Sequence, residues 1–311
     1  MTASVTQTPP SGRRLRAPKF TMAIPGMFWY VFFYAIPVAF VVIYSFGRKP
    51  PTNSKGFVRL DKLSFDNYSA VWEPAFRHVF VNTMLIAGLG TILCILISMP
   101  IAYYIAVKTG PKLRGLLLVL IIVPFWMSFF IRTAAWRIVL AANGLLSNFL
   151  IDHGLRTTKI SFLDTKEAVF LAIVYNYLPL MIFPLFVSLD RIEPALREAS
   201  KDLGAGRIKT FFSVTLPLAG PGLTAGAVLV FIPLAGDFVT ATVLGGAKGN
   251  MIGRNIYSLV IESQNLPKGA AAAMLLIVMI LGMLAAAALI VGLVKYGLKQ
   301  SRRVDIAGVT A

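Results

Sequence analysis

Asp237 is the residue whose placement most calls for a chemical explanation, because it closes an uncharged stretch that begins at Thr210. A carboxylate inside a membrane span costs about 2.5 to 3.5 kcal/mol on insertion scales, so it marks a solute pathway or an ion pair. Arg132 poses the same question within another apolar run. Counted along their spans, both fall toward the outer half, and two readings of Asp237 stand: it receives a cationic solute, or it neutralises Arg132. Trp126 and Trp136, in the run that holds Arg132, and Tyr175, Asn176 and Tyr177, in the run from Ala168 to Leu189, are candidates to line a path, since ammonium groups sit well against aromatic faces. Aromatics in spans more often serve packing or the interface. No reaction centre accompanies these residues. The chain has no GxxxxGK[ST] phosphate loop, no HExxH and no nucleophile elbow, and its two histidines and single cysteine, Cys94, form no cluster. The chemistry expected is recognition and passage of a solute, with no catalytic residue and no metal or cofactor site in this chain.

The elements that must position these groups are membrane helices. Hydrophobic residues make up 57% of the chain and charged ones 14%, with a mean hydropathy of +0.75, which excludes an ordinary soluble domain. The formal charge of +17 reflects lysine and arginine gathered in loops, a topological signal that gives no reason to expect a nucleic-acid partner. Residues 1–21 carry Arg13, Arg14, Arg16 and Lys19 among Thr, Ser and Pro and read as a disordered basic tail. Apolar runs follow at Met22 to Phe46, Val79 to Val107, Gly115 to about Leu140, Ala168 to Leu189, Thr210 to Gly236 and Gly269 to Val294, each long enough for a bilayer core of about 30 Å. Pro37 is expected to kink the first, and Pro179 and Pro184 to interrupt the fourth. The polar segments between them, including Asn143 to Lys166 and the Gly245–Arg254 region, read as loops. The short basic turn Lys108 to Arg114 and the greater density of positive residues in the segments on its side place both termini in the cytoplasm. The expected fold is all-α: a polytopic membrane protein of six transmembrane helices, with a permease domain over 22–297 and a cytoplasmic tail over 298–311.

One polar stretch between two of these runs breaks the pattern. Glu193 and Pro194 form a helix start, Gly204 a stop, and Ile192, Leu196, Ala199 and Leu203 recur at helical spacing while Arg197, Lys201 and Asp202 point elsewhere. A short helix with one greasy and one charged side is suited to docking.

These residues resemble a known signature. Glu198, Ala199, Ser200, then Gly204, then Leu216 and Pro217 follow the EAA pattern of the membrane-spanning subunits of binding-protein-dependent ABC importers, with Ser200 for the second alanine and Val214 for the isoleucine. The resemblance implies a type I importer permease fold and a coupling helix near 193–209, in which Glu198, Ala199, Ser200, Asp202, Gly204, Leu216 and Pro217 engage a separate ATPase. The stretches VPFWMSFFIRTAAW from Val123, YNYLPLMIFPL from Tyr175, FIPLAGDFV from Phe231 and LGGAKGNMIG from Leu244 look like spermidine/putrescine permeases. That likeness implies a second permease subunit, as a heterodimer, a dimer of ATP-binding subunits that hold ATP and Mg, an extracytoplasmic binding protein and a small cationic substrate. Permeases for iron, thiosulfate or phosphonate-like solutes share much of this framework, and a secondary transporter is the competing class.

Overall fold

The computed structural model describes residues 23–51, 56–246 and 249–307, with side chains to 293. The expected basic tail over 1–21 lies outside the described residues. Among them the architecture is helical, and the one ladder contact is an isolated bridge between Arg48 and Arg59.

In chain order the helices are α1 Ile24–Ser45, α2 Asp66–Val71, α3 Pro74–Lys108, α4 Pro111–Phe125, α5 Phe129–Leu140, α6 Leu145–Asp152, α7 Lys166–Asp190, α8 Pro194–Asp202, α9 Arg207–Leu218, α10 Gly220–Ala235, α11 Val239–Val243, α12 Ile252–Tyr257 and α13 Leu266–Ala307. Five stretches are long and apolar enough to cross a bilayer: α1, α3, Phe129–Asp152, α7 and Leu266–Leu293. The pair α9 and α10, bent by 66° at Ala219, makes a sixth. Proline drives several of these boundaries, since Pro74, Pro111, Pro194 and Pro221 stand in first helical turns where the missing N–H costs nothing.

Three expectations need correction, on one span, on two prolines and on two loops. The run from Gly115 to Leu140 is not one span: the helix stops at Phe125 just after Pro124 and restarts at Phe129. At 15 residues α4 is about 22 Å long, short of a bilayer core. Conversely, Pro179 and Pro184 lie inside α7 without ending it, because packed neighbours hold a membrane helix together across a proline. The supposed loops contain helices α6 and α12, and the presumed C-terminal tail begins within α13, which runs to Ala307. In α1 the backbone widens into a π-helical turn over Val31–Ala35 immediately before Pro37.

The core lies between α3, α7 and α10, where Ala87, Cys94, Ile173, Met181, Leu185, Val230 and Leu234 are sealed from solvent. Small residues allow the approach. A Cβ on Gly226 would stand 2.5 Å from Met181 Sδ, and one on Gly222 would overlap the Pro184 carbonyl. A second cluster joins Phe80 of α3 and Val71 of α2 to Ala271, Ala272 and Leu276 of α13. At the end of α1, Ser45 Oγ lies 2.7 Å from the Tyr68 hydroxyl and Asn67 Nδ2 donates to the Ser45 and Gly47 carbonyls, which fixes α2 across its end. Leu85, Leu89, Ile92 and Leu96 recur along the outer face of α3 and stay exposed, as a lipid-facing stripe must.

Candidate functional site

Two features carry the functional argument: an aromatic cleft around Asp237, and the exposed helix α8. The cleft forms where two helices break. α10 contains Pro233 and ends at Gly236, and the chain turns through Asp237 into α11. There the Asp237 carboxylate caps the new helix, its Oδ1 accepting the Thr240 N–H at 2.9 Å. The second break, Trp126–Ser128 between α4 and α5, brings Phe125, Met127, Phe129 and Arg132 to the same place. Asn176, Tyr177 and Leu180 of α7 close the wall. The resulting cleft has a volume of about 440 Å³.

Asp237 and Arg132 are each 5% exposed, and both line this space. They form no ion pair; the pairs among the described residues are Arg48–Asp66, Arg59–Asp61 and Arg114–Asp190. The Arg132 guanidinium instead lies over the rings of Phe125 at 5.2 Å and Phe129 at 5.8 Å, an aromatic setting that accepts a cation. Asp237 Oδ2 is buried beside the Tyr177 phenol and the Thr240 hydroxyl, without a hydrogen bond of good geometry to either. Asn176 donates from Nδ2 to the Thr133 hydroxyl at 3.0 Å, and its buried Oδ1 is also unpartnered. The cleft thus holds one carboxylate, one guanidinium stacked on two rings, and two buried oxygens without a hydrogen bond of good geometry. No cluster of metal ligands exists among the described residues.

Of the residues expected to line a path, the structure brings Asp237, Arg132, Asn176 and Tyr177 together and leaves three elsewhere. Tyr175 precedes Asn176 by 100° of helical turn and leaves the cleft face for an edge contact with Trp136, centroids 5.5 Å apart. Trp136 sits one turn beyond Arg132 and packs beside Leu140 and Leu244. Trp126, at the helix break, is 79% exposed. Sequence reasoning missed Phe125, Phe129 and Phe238, all in the cleft wall; the signal was Phe129, Arg132 and Thr133 at helical spacing behind a Pro124 stop.

The segment after Asp237 is clamped from behind. Asn82 of α3 donates to the Asn250 carbonyl at 2.7 Å, and the Thr83 hydroxyl accepts the Ile252 N–H at 2.8 Å. A Cβ on Gly253 would come within 2.7 Å of the Gly236 carbonyl, so the α12 segment supports the turn that presents Asp237.

Helix α8 starts at Pro194 and none of its residues is buried. Gly204 follows it at φ +80°, a left-handed stop that a side chain resists, and its N–H donates to the Lys201 carbonyl at 2.8 Å. Ser200 Oγ lies 3.1 Å from Thr210 Oγ1, linking α8 to α9. The apolar side anticipated from the spacing is there, but this chain covers only its first residue: Ile192 is 7% exposed, Leu196 46% and Leu203 89%. Glu198, Ala199 and Asp202 are open as well. Leu216 and Pro217 belong to the last turn of α9, behind a π-helical turn over Phe211–Thr215.

Bundled apolar spans, a small aromatic cleft where two helices break and an uncovered amphipathic helix make up a multi-pass membrane protein. The sequence profile of the binding-protein-dependent transport system inner membrane component matches residues 98–295. The spermidine/putrescine transport system permease protein PotB of Haemophilus influenzae is 38% identical over 253 residues, covering 81% of this chain and 86% of that one. The inner membrane ABC transporter permease protein YdcU of Escherichia coli is 31% identical, over 83% of this chain and 90% of its own. A bacterial ABC transporter involved in the import of the acidic polysaccharide alginate, known from a crystal structure, superposes with a TM-score of 0.70 over 87% of this chain and 93% of that chain, at 18% identity, which speaks to the fold alone. The chain belongs to the binding-protein-dependent transport system inner membrane component family and is a multi-pass inner-membrane permease.

Proposed function

We propose that this chain is the permease subunit of an ATP-driven polyamine importer, in which Asp237 receives one ammonium group of the passing substrate. The observation that carries this reading is the buried Asp237 carboxylate, whose Oδ2 has no ion-pair partner among the described residues and no hydrogen bond of good geometry, in the wall of a cleft it shares with Tyr177 and Phe238. A short polycation offers what that oxygen lacks, a strong donor, and the aromatic faces favour the cation at modest cost in dehydration. The PotB permeases are named for spermidine and putrescine, which supports the same substrate class. The competing role, a structural Asp237–Arg132 pair, lacks support from the geometry, since Arg132 is held by rings instead.

Energy enters at α8. Glu198 and Asp202 offer charge and Leu196 and Leu203 offer apolar contact to a separate ATPase, while Gly204 fixes the end of the helix; Ala199 and Ser200 keep it slim, and Leu216 and Pro217 anchor the following turn. ATP and Mg are bound by that partner. A second permease subunit and an extracytoplasmic binding protein complete the assembly, and the binding protein selects between spermidine and putrescine. The test is substrate-stimulated ATPase activity of the reconstituted complex, screened over polyamines, iron chelates and oxyanions. Stimulation by polyamines alone is expected; stimulation by an anion or a chelate and not by polyamines overturns the substrate assignment.

A further inference from the structure

A second, basic pocket lies between α8 and the membrane helices, on the face of α8 turned toward its own chain. Its volume is about 360 Å³. Lys108, the last residue of α3, and Arg207, the first of α9, stand across from Arg197 and Lys201, which are one turn apart on α8 and so share a face. None of the lining residues is acidic, and none of the four cations forms an ion pair among the described residues. Arg197 Nη1 is buried there without a hydrogen-bond partner.

The remaining wall is largely apolar, with three aromatic rings beside Val107 and Ile208. Tyr103 meets Phe211 edge-on at 5.6 Å, and Phe212, 61% exposed, stands at right angles to Phe211. Four uncompensated cations in one concavity call for an anion. The position tells which kind: the pocket sits where two apolar spans end, at the polar boundary of the bilayer, and its rim is open and apolar. A soluble anion has no use for that rim, and an ATPase docking on Glu198 and Asp202 approaches α8 from another side. We propose that this pocket holds the phosphate headgroup of an anionic phospholipid, with the acyl chains running down past Phe212. Basic pockets between spans take such headgroups by direct charge complementarity. Lipid occupancy would brace α8 against the membrane domain, and the site stands independently of which solute the permease carries.

The test is native mass spectrometry of the full chain in detergent with phosphatidylglycerol or phosphatidylethanolamine. The wild type should retain phosphatidylglycerol preferentially, and Arg197→Gln with Lys201→Gln should weaken that retention on the order of thirtyfold. Lys62→Gln with Arg156→Gln, removing two exposed cations elsewhere, should leave it unchanged. Equal retention of both lipids, or no loss in the Arg197/Lys201 double variant, overturns the proposal. Displacement by millimolar inorganic phosphate also overturns it, in favour of a soluble anion, and expulsion of the lipid when the ATPase is added assigns the basic wall to that protein instead. Should the double variant fail to fold, a photoactivatable phosphatidylglycerol on the wild type decides: crosslinks to the peptide containing Phe211 and Phe212 support the site, and crosslinks confined to other spans overturn it.

Discussion

Helix α8 and the Asp237 cleft are built by opposite means. In α8 no residue is buried, Leu203 is 89% exposed, and the start and stop come from Pro194 and Gly204 a few residues apart. In the cleft Asp237 and Arg132 are 5% exposed, and the walls come from α4, α5, α7 and the turn after α10. A docking element has its shape fixed locally and its apolar face left for a partner. A solute site gets its shape from helices that are far apart in sequence, and its unpaired groups are buried. Substitutions in α8 should therefore affect coupling with little effect on folding, and those around the cleft should split into losses of transport and losses of stability.

The largest effect expected is for Asp237→Asn, which removes the charge at nearly constant volume. Uptake should fall on the order of 100-fold or more, the scale for losing one partner of a buried charge contact, with the chain inserted and normally stable. Radiolabelled polyamine uptake with a thermal-shift control checks it. If the variant is instead unstable and Arg132→Gln restores both stability and uptake, Asp237 is a structural counter-ion and the contrast between the two regions loses its functional half.

Glu198→Arg comes next. Reversing charge on the docking face should reduce co-purification of the ATPase and uptake roughly tenfold, because replacing an exposed ion pair by a like-charge contact costs about 1.4 kcal/mol, while the melting temperature of the chain stays put. Normal co-purification and uptake together would remove the coupling role of α8. Gly226→Leu tests the opposite region: an isobutyl group driven into Met181 should destabilise the chain by about 1 to 3 kcal/mol, read as a lower thermal midpoint in detergent. Thr83→Val should cost about 1 kcal/mol by stranding the Ile252 N–H, and it should lower uptake by loosening the segment behind Asp237. The smallest change is expected for Leu203→Ser, within about 0.5 kcal/mol for the chain alone, with the loss confined to ATPase retention.

Helix α8 was legible because each of its signals is local. Proline at the first turn, glycine at the left-handed stop and the apolar spacing act within one or two turns, and the helix bounds follow from them. Most of the spans were legible for the same reason, since bilayer thickness imposes a run length that needs no partner. The single span read into Gly115–Leu140 failed because apolar composition is blind to a turn that only tertiary neighbours stabilise; Pro124 marked it, but Pro179 and Pro184 show that a proline alone does not decide.

Sequence by itself determined that this chain is a polytopic membrane protein with a short amphipathic helix between two spans and a carboxylate near the end of one span. Only the tertiary structure decided what that carboxylate faces. Composition nominated Trp126, Trp136 and Tyr175 alongside Tyr177, and helix phase and the two breaks leave the first three outside the Asp237 cleft while placing Phe125, Phe129 and Phe238 in its wall. It also decided that Arg132 rests on aromatic rings rather than on Asp237, since which partner a buried charge finds depends on how helices from distant parts of the chain are rotated against one another. That rotation is set by close-packed contacts such as Gly226 against Met181, and no residue's type or spacing encodes it alone.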